Sequence, residues 1–405
     1  MEANADLIDS RVAWLRLAAA LALSTLGGVG MWSVVVALPA VQAEFGVTRG
    51  AASFPYTLTM LGFGIGGIMM GRLSDRYGVR LPLIGATCAL ALGYVMASMA
   101  SSLLMYAIVQ GLLIGMLGSS ASFGPLLADT SHWFVRRRGL AVSIVASGNY
   151  LAGALWPPVV QHLIETVGWR TAHLSIGVIC LVTMLPLTYA MRRAAPQSGH
   201  TNAPAVAPVS MPLGISPFAL QTLLMIAGVA CCVAMSMPQV HIVAYCADLG
   251  YGPAVGAQML SMMLGFGIVS RLASGYVADR IGGLRTLLLG SVLQGVALLL
   301  YIPFDGLASL FVVSALFGLF QGGIVPSYAI IVREYFAPKE AGARVGLVMM
   351  ATLFGMALGG WMSGAVFDLT GSYRAAFVNG LMWNLLNLSI VFWLLRRPRA
   401  RLAAV

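Results

Sequence analysis

The chain has 405 residues, 59% of them hydrophobic and only 9% charged, with a formal net charge of +10. So much apolar surface with so little charge excludes an ordinary soluble domain. The basic balance alone would suit nucleic acid, but the cations sit in alternate loops between apolar segments, which excludes that reading as well.

A membrane-crossing helix needs about 20 mostly apolar residues. Twelve such segments follow one another, beginning near Ala13, Ala51, Leu81, Leu103, Leu140, Ala172, Phe218, Ala254, Leu284, Ala308, Val345 and Ala375. Segment 1 is too long for a signal peptide and lacks a small-residue cleavage site, so it is expected to be retained. Segment 2 ends in GRLSDRYGVR, from Gly71. Gly71 and Asp75 are one helical turn apart, so a point of close backbone approach and a carboxylate share a face. Asp75, Arg76 and Arg80, around Gly78, are expected to make charge-assisted contacts across neighbouring helix ends, a latch that breaks during transport. Segment 4 carries Ser119 and Ser120, and segment 5 carries Asn149 and Tyr150 in SGNYLAGALWPP. Hydrogen bonding between helices is the default role of each, and lining a substrate cavity the sharper one. Asn149 stands first among them, because an amide at mid-helix needs partners.

The polar stretch after segment 6, rich in Pro, Ala and Ser, reads as a linker over 192–214. It separates a six-helix bundle over 1–191 from a second over 215–405. Segment 7 contains MPQVHIVAY, where Pro238 loosens the helix. His241 there is the one mid-chain group that titrates near neutral pH, a candidate proton carrier. Segment 8 contains Arg271, two turns and roughly 10 Å before Asp279. An ionisable residue inside a membrane helix is costly and marks function, and a guanidinium grips a carboxylate bidentately. None of the 13 acidic residues lies in the middle of a segment to neutralise it, so its expected partner is an anionic substrate. Gln321 in segment 10 joins the cavity candidates. His132, His162, His173 and His200 read as structural.

Nineteen of the 23 basic residues, Arg16 among them, read as terminal or loop charges on one side, three fall in the alternate loops, and Arg271 alone lies within a segment. Short basic loops stay in the cytoplasm, so both termini are expected there, in the cell inner membrane. The five cysteines show neither disulfide nor metal-site spacing. With no nucleotide-binding loop, metal cluster or nucleophile triad, neither an enzyme nor a cofactor is expected.

The halves repeat. GYVADRIGGLR begins at Gly275, so Asp279 and Arg280 stand where Asp75 and Arg76 stand in the first copy, with one offset (275 − 71 = 204). Trp169-Arg170 recurs as Tyr373-Arg374 at the same offset. Parallel six-helix repeats put a substrate site between the halves near mid-membrane. Arg271 maps onto Gly67, a charge that breaks the internal symmetry.

The duplicated Gly-x-x-x-Asp-Arg-x-Gly motif resembles the signature of the major facilitator superfamily, over nearly the whole chain. That resemblance implies an all-α membrane fold of twelve helices in two pseudo-symmetric bundles. HWFVRRRGLAVSIVASG, GWR at Gly168 and the arginine followed by Gly275 and Ala278-Asp279 resemble the monocarboxylate porters, in which Arg271 would stand as the substrate-binding arginine. MPQVHIVAY is similar to bacterial members with a cavity-facing histidine, a role that falls on His241. Two features depart from the relatives. Segment 1 has no lysine and Gly267 replaces the aspartate one turn before the arginine, so the animal porters' proton relay does not carry over. Segment 11 lacks the second cation of the oxalate–formate exchanger, which favours a monocarboxylate over a dicarboxylate.

The sequence therefore predicts a monomeric secondary transporter of a small carboxylate such as lactate or pyruvate, coupled to protons and working by alternating access in the lipid bilayer. The alternatives are anion–anion exchange and, more remotely, drug export or anion sensing.

Overall fold

The computed structural model describes residues 7–193 and 213–397. The predicted linker lies outside the described residues except at its two ends. Among the described residues every regular element is helical.

Segment 1 is α1 (Arg11–Gly27) followed by α2 (Val29–Phe45). Segment 2 is α3 (Arg49–Tyr77), whose N-cap Thr48 accepts a hydrogen bond from the Ala51 amide. Segment 3 is α4 (Arg80–Ser98). Segment 4 is irregular: α5 (Leu103–Val109), a π-helical stretch Gln110–Gly118, a 3-10 turn Ser119–Ser122 and α6 (Gly124–Trp133). Segments 5 and 6 are α7 (Arg138–Ala146) and the long α8 (Gly148–Thr188). The second half runs α9 (Pro217–Asp248), α10 (Pro253–Ile281), α11 (Gly283–Leu300), α12 (Leu307–Gln321), α13 (Ile324–Tyr335), α14 (Pro338–Thr370) and α15 (Tyr373–Arg396).

Among the described residues, 11 helical stretches are long and apolar enough to cross a membrane. One of them, Arg138–Met191, runs for 54 residues, about 80 Å at 1.5 Å per residue, against a hydrocarbon core of about 30 Å. Gly168 divides it, at φ +79° and ψ 157° inside α8, a geometry that glycine adopts without strain. With that stretch counted as two crossings, the twelve predicted segments are all present, and the chain is a multi-pass membrane protein.

The internal repeat extends to the backbone. α3 and α10 are each 29 residues long and begin at Arg49 and Pro253, the same offset as the motifs. Gly78 (φ +75°, ψ 163°) and Gly282 (φ +83°, ψ 163°) turn the chain identically after them.

The helices form two compact units, residues 1–201 with 241–265 and residues 202–240 with 266–405. α9 and α10 contribute to both. In the first unit α3 packs on the π-helical stretch, and α1, α2 and α4 pack on α8. In the second, α11 packs on α12, α13 and α15, around a core that includes Leu224, Cys231, Ile324, Tyr328 and Val391. Lipid is as apolar as leucine, so close fit of small residues and hydrogen bonds hold such helices together. A Cβ at Gly62 would collide with the Gly111 carbonyl oxygen, and one at Gly66 with that of Met116.

Candidate functional site

Arg271 is half-buried on α10. The small residues around it are occupied by a neighbouring helix. A Cβ at Gly322 would strike the Gly267 carbonyl oxygen and approach Ser270 Cβ to 2.8 Å, and one at Gly323 would strike the Ser274 side chain. The α12–α13 junction is therefore pressed against the turns on either side of Arg271. The close crossing of α3 with segment 4 at Gly62 and Gly66 repeats this arrangement in the first unit.

Gln321, the last residue of α12, enters that junction. It is fully buried and accepts at Oε1 a hydrogen bond from Gln239 Nε2 at 3.0 Å. The pair leaves Gln321 Nε2 and Gln239 Oε1 buried with no hydrogen-bond partner among the described residues. Gln239 was missed from the sequence. The argument that singled out Asn149, an amide inside an apolar helix, applies equally to Gln239 in MPQVH.

His241 is fully buried on α9 and belongs to the first unit, as do Ser119, Ser120, Asn149 and Tyr150. The two serines form the start of the 3-10 turn. Ser120 Oγ donates to the Met116 carbonyl at 2.6 Å, while Ser119 Oγ is buried with no hydrogen-bond partner among the described residues. Departures from α-helical winding of this kind gather at functional positions. Asn149 accepts from Trp32 Nε1 at its backbone oxygen, 3.3 Å away, and its side-chain Oδ1 is buried with no hydrogen-bond partner among the described residues. Tyr150 is 7% exposed. His173, read as structural, has both ring nitrogens engaged, by Tyr106 Oη at 3.1 Å and by the Trp169 carbonyl at 2.8 Å.

The motif loops differ from expectation. Among the described residues Asp75 and Asp279 make no ion pair. Arg76 lies 5.2 Å from the Tyr77 ring, Arg80 6.0 Å from that of Tyr189 and Arg280 4.2 Å from that of Tyr276. Gly71 and Gly275 have open space where a Cβ would stand. Among the described residues, the charge-assisted contacts expected of Asp75 and Asp279 across helix ends are therefore not formed. On the opposite side, ion pairs are made. Arg49 pairs with Asp248 at 3.1 Å, joining the start of α3 to the end of α9, and Arg170 pairs with Glu44 at 2.6 Å. Arg49 is only 7% exposed.

Arg16 also needs correction. It was counted as a terminal charge, but it lies within α1, is 4% exposed and binds Asp129 through Nε and Nη2, each at 2.9 Å. The two residues are 113 positions apart, a pairing with no local signature. Among the described residues no group of three or more His, Cys, Asp or Glu could hold a metal ion.

The sequence profile of the Major Facilitator Superfamily matches residues 20–306 and 267–405. Monocarboxylate transporter 13 of Bos taurus is 31% identical over 314 residues, covering 76% of this chain and 71% of that protein. Monocarboxylate transporter 11 of Mus musculus is 30% identical over 386 residues, covering 91% and 84%. Among solved structures, a bacterial homologue of the human lysosomal transporter Spinster superposes with TM-score 0.72 at 12% identity, covering 94% of this chain and 96% of that one. The nucleoside transporter NupG does so with TM-score 0.73 at 13% identity, covering 95% and 100%. At such identities the two structures speak for the fold alone.

Proposed function

The chain belongs to the major facilitator superfamily and is a carrier rather than an enzyme, and from that premise we propose that it moves a small monocarboxylate, with Arg271 as the group that binds the carboxylate. The observation that carries this reading is a guanidinium within an apolar helix, at a position where the repeat has Gly67. A permanently charged group there favours an anion over a neutral or cationic cargo. Relatives bearing the name monocarboxylate transporter support the same class.

Proton coupling is part of this proposal. Arginine does not release a proton at accessible pH, so the proton travels on His241 or on the substrate carboxyl itself. Anion exchange, which needs no proton carrier, is the second reading. Asn149, Tyr150, Gln321, Ser119 and Ser120 are proposed to line the path, with both termini in the cytoplasm.

The test is a melting screen of the purified protein against mono- and dicarboxylates. A ligand at about 100 times its dissociation constant adds roughly 2.7 kcal/mol. Monocarboxylates are expected to raise the melting temperature of the wild type and not of Arg271→Gln. Equal responses would remove Arg271 from the site.

A further inference from the structure

The first unit holds a second basic site, on the side of the arginine-rich loops. A cleft of about 620 Å³ opens among the ends of α1, α3, α4, α6 and α8. Its floor is the Arg16–Asp129 pair, which is closed on itself. Arg16 Nη1 donates to the Ala190 carbonyl at 3.2 Å, and the guanidinium lies 4.5 Å from the Trp133 ring. The rim is not neutralised in this way. Arg80, Arg192 and Arg193 line it, and among the described residues none of them is in an ion pair. Arg80 and Arg192 converge on the Tyr189 ring, at 6.0 and 4.1 Å. Among the described residues lining the cleft, Asp75 is the one carboxylate outside the Arg16–Asp129 pair, and Ser74 Oγ is buried in the wall with no hydrogen-bond partner.

The outer flank of the cleft is apolar. α4 begins at Arg80 and exposes Leu81, Cys88 and Leu92 at helical spacing. α8 runs up to Tyr189 and exposes Val178 and Val182, with Tyr189 itself exposed one step further. α4 and α8 pack together, and both apolar stripes lead to the charged rim.

We infer that this cleft binds the phosphate of an anionic phospholipid headgroup, with the acyl chains lying along the stripes of α4 and α8. Guanidinium groups match phosphate in geometry as well as charge, and basic pockets between helices at a membrane surface suit such headgroups. Loop charges that served topology alone would need neither a cleft nor an apolar approach to it. The stripes favour lipid over free phosphate as the source of the anion.

The test uses the full chain in detergent, titrated with cardiolipin, with phosphatidylcholine and with inorganic phosphate while melting is followed. Three proteins are compared: the wild type, the triple variant Arg80→Gln, Arg192→Gln, Arg193→Gln, and Arg333→Gln as a control outside the cleft. Cardiolipin is expected to raise the melting temperature of the wild type and of Arg333→Gln by several degrees, to raise that of the triple variant by less than half as much, and to act where phosphatidylcholine does not. An equal response from phosphatidylcholine, or from the triple variant, overturns the site. A full response to inorganic phosphate alone overturns the lipid as its occupant. Should the triple variant fail to fold, native mass spectrometry of the wild type decides: retention of cardiolipin over phosphatidylcholine at matched concentration supports the site, and equal retention overturns it.

Discussion

At the scale of single residues, the buried polar groups carry the clearest consequences. Removing one partner of a buried ion pair strands the other charge, at a cost of about 3–5 kcal/mol. Arg16→Leu is therefore expected to lower the melting temperature sharply, and adding Asp129→Leu to recover most of the loss. A double variant no better than Arg16→Leu would contradict the pairing. The Gln239–Gln321 pair offers a subtler case. Truncating either amide leaves the other buried with one bond fewer, worth about 1–3 kcal/mol. The double variant Gln239→Leu, Gln321→Leu should cost less than the two single changes added together, and additive losses in a double-mutant cycle would show the two amides to be independent. Of these four residues, sequence reading found only Gln321. The pairing of Arg16 with Asp129 spans 113 positions, and no periodicity marks it.

At the scale of elements, adjacent glycines separate close packing from mere flexibility. A Cβ at Gly66 would meet the Met116 carbonyl oxygen, whereas one at Gly67 meets nothing within 4 Å. Gly66→Ala should destabilise the protein by about 1–3 kcal/mol. Gly67→Ala should be neutral or stabilising, because glycine is the costlier residue inside a helix. Melting temperatures of the two purified variants check this, and equal temperatures would refute the tight crossing of α3 with segment 4. The number of crossings and the repeat were legible, because both follow from hydropathy and from motifs at a fixed offset. The π-helical stretch from Gln110 was not, since its winding depends on what packs against it rather than on its own residues. The close approach of Gly322 to Gly267 was not legible, because small residues permit a tight crossing but do not say which helix makes it.

At the scale of the whole molecule, the chain carries two sets of charged contacts with opposite standing. The motif acids Asp75 and Asp279 are without ion pairs among the described residues, while Arg49 is buried in its pair with Asp248. If the Arg49–Asp248 contact must open in each cycle, a short bis-methanethiosulfonate cross-link joining Arg49→Cys to Asp248→Cys, whose thiols stand too far apart for a direct disulfide, will stop transport, and a reductant will restore it. Unchanged flux in the cross-linked protein would show the contact to be static. The superfamily was legible from the duplicated Asp-Arg motif, but the Arg49 contact was not, because a basic residue in a short loop reads first as topology. The central claim is that Arg271 binds the carboxylate that is transported, and tracer flux tests it most directly. Wild-type protein in proteoliposomes is predicted to accumulate labelled lactate or pyruvate faster when the outside is acidic, and Arg271→Gln is predicted to lose that uptake by about 10–100-fold, the worth of a charge-assisted contact of about 1.5–3 kcal/mol. Undiminished uptake by Arg271→Gln would contradict the account.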